Sequence, residues 1–372
     1  MKENEILFVP LGGGQSVGAS CYYIRLGRSN ILLDCGTGMS EGQMFYPDFY
    51  TLMQHVSGMG RVSQMFVSHA HMDHAGGLLE FLKEAPHTPV YMTDLTLMLT
   101  EHQLRRTGKQ SFVAERLRES VTPVSFNQSF TFGDYRVSFY PAGHIPGAMM
   151  TLLEYGGRNI LYTGDYSLSP TALTSGCVLP EIEIDTLVIC AVHARHSDKL
   201  GSFNGLRVLT RSVARTLNAG TSVFCRAPQL SKGVELLSAL NQTLPPDVRI
   251  YIDEALFPVI RQFERVGVPV ITARNRQYQE NVCDASPHVV ISADRTARPL
   301  GGNWCVMDAN FSLHDSFDET AAFIKKINPK IAVVVHSPCD DEWNKTVEQE
   351  LALNSECQTQ FLFAENGQAY LL

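Results

Sequence analysis

The sequence predicts an α/β protein in which a sheet-based domain is interrupted by a second, smaller α/β domain. Three observations predict this. Short strands punctuated by glycine turns open the chain, helix and strand alternate between about residues 200 and 300, and the last seventy residues return to the style of the beginning. At 372 residues the chain is long enough for one large layered domain or two domains. Its 44% hydrophobic and 18% charged residues are those of a globular protein, and no apolar run approaches the roughly 20 residues of a membrane span.

The segments 5–9, 20–26 and 29–33 read as strands separated by Gly12-Gly13-Gly14 and Gly27. The Gly12–Gly18 stretch is no dinucleotide loop, because strand rather than helix follows it. The third strand ends at Asp34 in Leu-Leu-Asp-Cys-Gly, where a carboxylate beside a turn serves as a turn cap or as a support or water-orienting group for a metal site. A helix is expected at 48–57.

The apolar run Val62–Val67 then delivers Ser68-His69-Ala70-His71-Met72-Asp73-His74. Three imidazoles and a carboxylate in six positions offer the ligands of a zinc-like catalytic site, and Gly76-Gly77 followed by Leu78, Leu79, Phe81 and Leu82 opens a helix.

Further along, 89–93 reads as a strand, 94–106 and 111–119 as helices, and 123–155 as alternating short strands. His144 stands in a loop held by Gly143, Pro146 and Gly147, well placed for a third ligand, and Asp165 follows a strand and a glycine, where it can bridge two ions. From 200 to 300, helices at 205–218, 230–241 and 254–266 alternate with strands at 221–225, 248–252, 269–272 and 289–292, the mark of βαβ units on a parallel sheet. Trp304–Asp308, a helix at 316–327, the strand Ile331–Val335 ending at His336 and a helix near 341–353 are expected to complete the first sheet. The domains are thus 1–200, 201–300 and 301–372, the middle one inserted.

Nine cysteines without a C-x-x-C pair, and an N-terminus without a signal-peptide pattern, point to reduced thiols in a cytoplasmic protein. The net charge of −8 argues against tight, nonspecific binding of long nucleic acid, and the basic clusters at 105–109, 116–118 and 274–276 read as solvated faces.

In order, these motifs resemble the metallo-β-lactamase superfamily and, within it, the β-CASP nucleases, which include the RNase J type and the endonuclease subunit of the pre-mRNA 3′-processing factor. The resemblance covers nearly the whole chain: Leu-Leu-Asp34-Cys-Gly, His69-x-His71-x-Asp73-His74, Ala-Gly-His144-x-x-Gly-Ala and Thr-Gly-Asp165-Tyr-Ser match the first four motifs. His314 in Phe-Ser-Leu-His-Asp and His336 in Val-His-Ser match the group's later histidines.

The resemblance implies an αββα sandwich with an inserted β-CASP-like domain and two zinc ions per chain, with Mn2+ as the alternative. His69, His71 and His144 would hold one ion, Asp73, His74 and His336 the other, with Asp165 between them. Asp34 would orient a hydroxide bridging the ions, Asp73 would belong to the catalytic machinery, and His314 would give a proton to the leaving oxygen. The function implied is a phosphodiesterase acting on RNA or other nucleic acid, free of membranes, working as a homo-oligomer or within a protein complex.

Three departures bear on substrate. Cys190-Ala191-Val192-His193-Ala194 stands where the group carries an acid, Ser292-Ala-Asp-Arg295 replaces its phosphate-proximal segment, and Lys232 lies in a partly kept signature of the inserted domain. Lys232, Ser292 and Arg295 are the candidate substrate contacts. His193, His196 and Asp198 are candidates to replace the missing acid. These departures leave two further readings, a hydrolase of a small phosphodiester, nucleotide or ester, and a weakly active or partner-activated subunit.

Overall fold

The computed structural model describes residues 5–105, 110–192, 202–227, 231–279, 286–299, 301–338, 345 and 359–372. Two compact units divide the chain: Met1–Leu168, Gly176–Lys199 and His314–Leu372 in one, Ser169–Ser175 and Leu200–Leu313 in the other.

The first unit holds two seven-stranded sheets. One runs Tyr370–Leu371, Ile6–Gly12, Cys21–Leu26, Ser29–Leu33, Gln64–Phe66, Val90–Thr93, Val121–Val124; the other runs Gln360–Phe363, Ile331–Val335, Thr186–Cys190, Arg158–Tyr162, Met149–Tyr155, Tyr135–Pro141, Ser129–Phe132. Successive residues of a strand face opposite sides of its sheet, and here both sides are buried. Ile6, Phe8, Tyr22 and Ile24 join Val137, Phe139, Tyr162, Val188 and Val333 in a core between the sheets. Their neighbours Leu7, Val9, Cys21 and Tyr23 turn outward to Leu52, Leu78, Phe81 and Leu82 of the helices Phe49–His55 and Leu78–Glu84. Two-sided burial explains why these strands read as near-continuous apolar runs. The second sheet is covered on its other face as well, where Ala332 and Val334 are fully buried, and Phe323 of the helix Phe317–Ile327 meets Tyr166, just past the strand Arg158–Tyr162, ring centroids 4.4 Å apart. The result is the expected αββα order.

In each sheet the four strands at one side run parallel. Asp34, His69, Asp165 and His336 all follow the C-terminal ends of parallel strands. His144 lies in the turn joining the antiparallel strands Tyr135–Pro141 and Met149–Tyr155, and the Met149 N–H donates to Ser68 O at 2.9 Å, tying that turn to the His69 loop.

The second unit is a five-stranded parallel sheet in the order Asn275–Gln277, Ile250–Ile252, Val289–Ser292, Ser222–Arg226, Trp304–Asp308, with helices Ser202–Asn218, Lys232–Thr243 and Phe257–Arg265. Two expectations are corrected here. Trp304–Asp308 does not complete the first sheet: it pairs with Ser222–Arg226 at the edge of this one, so the chain returns to the first unit at His314. The expected strand at 269–272 is instead Asn275–Gln277, held by the Asn275 side chain, which donates to Asn241 Oδ1 and accepts from Thr272 N. The helix expected near 341–353 falls largely outside the described residues.

Among the described residues, Cys21, Cys35, Cys177, Cys190, Cys225 and Cys305 are free thiols. No described helix is long and apolar enough to cross a membrane.

Candidate metal centre

Two groups of ligand-bearing side chains meet at the shared edge of the first unit's sheets. His69, His71, His144 and Asp165 form one, Asp73, His74 and His336 the other. In the first, His69 Nε2 and His144 Nε2 lie 3.0 and 3.1 Å from His71 Nδ1, and 3.7 and 3.9 Å from Asp165 Oδ2. In the second, Asp165 Oδ1 lies 3.3 Å from His74 Nε2 and 3.9 Å from His336 Nε2, which is 3.6 Å from Asp73 Oδ2. Asp165 therefore turns one oxygen to each group.

The residues fit metal ions on two observations. Ligands about 2.0–2.1 Å from a tetrahedral ion stand roughly 3.3 Å from one another, close to the separations found here. Moreover His74 Nε2, His336 Nε2 and both Asp165 oxygens are buried without a hydrogen-bond partner. Buried polar atoms left unpaired in this way are costly unless a missing group satisfies them.

The chain holds the ligands in place from behind. The His74 Nδ1–H donates to Asp34 Oδ2 at 2.7 Å and His336 Nδ1 meets Ser20 Oγ at 2.7 Å, so both rings present Nε2 to the site. His69 Nδ1 lies 3.0 Å from Ser68 Oγ. Asp34, expected to orient a hydroxide, is given wholly to this support. Its oxygens accept from Ser68 N at 2.6 Å, Ser68 Oγ at 2.7 Å, the Tyr162 hydroxyl and His74, and its side chain is fully buried.

The backbone is bent to match. Asp34 and His336 are non-glycine residues in the left-handed region, at φ 62° and 52°, a cost that persists only where the surroundings impose it. Gly164, at φ 55°, has no room for a side chain, since a Cβ would come within 2.5 Å of Ser68 Cβ. That close approach brings the Asp165 loop against the His69 loop.

Electrostatics follow burial and neighbours. Burial lowers His69 well below the ordinary histidine range, and it lowers His71 to about 4, with His144 adding to the effect. Burial also lowers His336, partly offset by Asp165. These imidazoles are neutral, as ligands must be. Burial alone would lower His74 too, but Asp165 and Asp34 on its two sides raise it well above the usual range. Burial would raise Asp165, yet His74, His314 and His336 hold it well below the carboxylate range. A buried carboxylate among imidazoles draws a proton onto His74, the proton a divalent ion would displace.

His314 joins the site at its more open side. It is a quarter exposed, its Nδ1 lies 3.4 Å from Asp165 Oδ2, and its ring stacks on His144 with centroids 4.6 Å apart. Asp315 beside it accepts from Leu168 N at 3.0 Å and Ser167 Oγ at 3.1 Å, which anchors the loop. Cys190, where an acid was expected, is a buried thiol 3.8 Å from the Tyr162 hydroxyl, its pKa raised well above the thiol range by burial and by Asp165 and Asp34. His193, His196 and Asp198 lie outside the described residues.

Within the second unit, Lys232 begins the helix Lys232–Thr243. Burial, and Arg295 close by, lower its pKa, and its ammonium sits 5.8 Å from the Phe311 ring centroid. The Ser292 hydroxyl is committed to its own loop, donating to Asp253 Oδ2 at 2.6 Å and accepting from Asp294 N at 3.2 Å. Sequence reasoning missed Ser20 and Tyr162 as supports. Only three-dimensional pairing reveals them, over separations of 316 residues to His336 and 128 to Asp34.

Comparison with known proteins places this geometry. Residues 15–199 match the sequence model of the Metallo-beta-lactamase superfamily. The chain is 32% identical over 212 residues to Probable RNase MJ4 of Methanocaldococcus jannaschii, covering 52% of this chain and 47% of that protein. It is 29% identical over 260 residues to Integrator complex subunit 11 of Danio rerio (64% and 42%), and 25% identical over 302 residues to Cleavage and polyadenylation specificity factor subunit 3-I of Arabidopsis thaliana (77% and 43%). The chain thus spans less than half the length of these relatives. A crystal structure of a protein of unknown function from Enterococcus faecalis V583 shares the fold at TM-score 0.69 and 15% identity, covering 99% of this chain and all of that one.

Proposed function

Because the chain belongs to the metallo-β-lactamase superfamily, we propose that it is a two-zinc phosphodiesterase of the β-CASP type that cleaves RNA. The observation that carries the reading is Asp165, whose two oxygens face separate sets of histidines. Two divalent ions held there would supply charge neutralisation for an in-line displacement at phosphorus and would make a water acidic near neutral pH.

The chain's own part is to fix the ligands. His69, His71, His144 and Asp165 would hold one ion, and Asp73, His74 and His336, with the other oxygen of Asp165, would hold the second. Asp34 and Ser20 fix the rings of His74 and His336, so their lone pairs point into the site without searching. His314, the more open of the site's histidines, is placed to pass a proton to the leaving oxygen. In the second unit, burial and then Arg295 lower the pKa of Lys232, a penalty that a phosphate of the substrate bound beside them would relieve. Ser292 shapes their loop.

The named relatives support RNA as substrate: one is called an RNase, another a cleavage factor subunit. Relatives named as complex subunits support a working place within an assembly, and the free cysteines among the described residues suit the cytoplasm. One observation favours a second reading, a subunit activated by a partner: Cys190 is a neutral thiol where the group carries an acid, so a partner would have to supply the charge that orients His314.

The test is cleavage of labelled single-stranded RNA and DNA by the zinc-loaded chain. Metal-dependent RNA cleavage, abolished in His71→Ala, is expected. No cleavage, or equal cleavage by the variant, refutes the reading.

A further inference from the structure

The helix Ser202–Asn218 contains no acidic residue, and its arginines recur at every fourth position, Arg207, Arg211 and Arg215. Leu206, Thr210, Val213 and Leu217 bury one face, and all three arginines are exposed on the other. Among the described residues, no carboxylate pairs with any of the three. On a chain of net charge −8, this is a concentrated and unneutralised stripe of positive charge.

We propose that this stripe binds the phosphate backbone of a single-stranded nucleic acid, a second holding surface for the substrate of the nuclease reading above, on which it rests. Four residues of helix rise about 6 Å, so successive guanidiniums meet separate phosphates. Guanidinium donates in a fork that matches phosphate oxygens, and a row of them follows a backbone without reading bases.

Topology gives the stripe a direction. The helix ends at Asn218 and the strand Ser222–Arg226 starts just beyond it, so the Arg207 end lies toward the C-terminal edge of the parallel sheet. That edge also carries Ser292, Arg295 and the start of the Lys232 helix. The Arg207 end of the stripe and the Lys232–Arg295 pair thus lie toward the same edge of the second unit's sheet. An acidic peptide would find the same charge but not the regular phosphate spacing, so the polynucleotide is the better fit.

The experiment measures fluorescence anisotropy of a nuclease-resistant single-stranded oligonucleotide, phosphorothioate-linked and 2′-O-methylated, with the zinc-loaded full chain across a salt series. Each phosphate contact on a single strand contributes about 0.7 to the slope of log K against log salt. The Arg207→Gln/Arg211→Gln/Arg215→Gln variant is expected to bind about 10- to 100-fold more weakly near 0.1 M salt, with a slope shallower by about 2. The triple Arg→Lys variant should recover most of that slope. If the triple glutamine variant does not fold, Arg211→Gln alone should lower the slope by about 0.7.

Unchanged affinity and slope would overturn the proposal. So would a variant that loses binding to polyglutamate while keeping the oligonucleotide. The two readings fail separately: a wild type that cuts no RNA but shows the slope difference defeats the nuclease assignment and leaves the stripe standing. Hydrolysis of bis(4-nitrophenyl) phosphate, too short to reach the helix, should be the same in wild type and variant.

Discussion

The metal centre of the first unit and the arginine stripe of the second both gather charge, in opposite ways. The centre buries His69, His74, His144, Asp165 and His336 and fixes them through Asp34, Ser20 and Ser68. The stripe leaves three long side chains exposed to water, with no carboxylate among the described residues paired to them. Buried charge is strong, sensitive to geometry and insensitive to salt; exposed charge is weak per group, tolerant of position and screened within about 10 Å at 0.1 M. Chemistry belongs to the first kind, and holding a long polyanion belongs to the second.

The largest test of this contrast is Asp165→Ala, which removes a ligand from both groups at once and should lower turnover of any substrate by more than about 1000-fold. A fall of less than tenfold in steady-state kinetics would mean that the two groups do not act together. Asp34→Asn reaches only the support of His74. It should weaken zinc binding by about 10- to 100-fold in a chelator competition while the fold persists, and unchanged affinity would remove Asp34 from the account.

Salt should separate the two regions without any mutation. Between 50 and 200 mM, kcat/KM for RNA should fall about tenfold or more, whereas that for bis(4-nitrophenyl) phosphate should hardly move. Equal responses would mean that exposed charge adds nothing to RNA binding.

The smallest effect lies away from both regions, at Glu235. Its buried carboxyl accepts from Ala172 N, and burial, opposed by its hydrogen bonds to the Thr171–Leu173 turn, raises its pKa to about 7. Above about pH 4.5 the unfolded chain has lost this proton while the folded chain keeps it, so folding takes up a proton in that window. Stability therefore falls as pH rises from about 4.5 to 7. Glu235→Gln should be neutral at pH 4 and raise Tm by a few °C at pH 8, read by thermal unfolding. A variant less stable at pH 8 than at pH 4, relative to wild type, would reverse the sign.

What the sequence made legible follows the same division. His69 to His74 could be read because the ligands are contiguous and follow an apolar strand, whereas the four-layer order came only with the family resemblance that those motifs carry, since strands buried on both faces look alike wherever they sit. Asp34 was legible as a support or water-orienting group, but not the ring it supports, since His74 lies 40 residues away and only the meeting of two strand ends pairs them.

Trp304–Asp308 misled because an apolar strand does not announce its sheet. The arginine stripe escaped for a different reason: the basic residues that cluster along the sequence are those around Arg105, Arg116 and Arg274, which pair with Glu101, Glu119 and helix-end carbonyls. Arg207, Arg211 and Arg215 are adjacent only with the period of a helix.

The account stands on two ions sharing Asp165, and metal content per chain tests it most directly. After zinc loading and desalting, elemental analysis of wild type should give two zinc ions per chain, and His336→Ala, which leaves His69, His71, His144 and Asp165 intact, about one. One ion or none in the wild type, or the same content in both proteins, would contradict it.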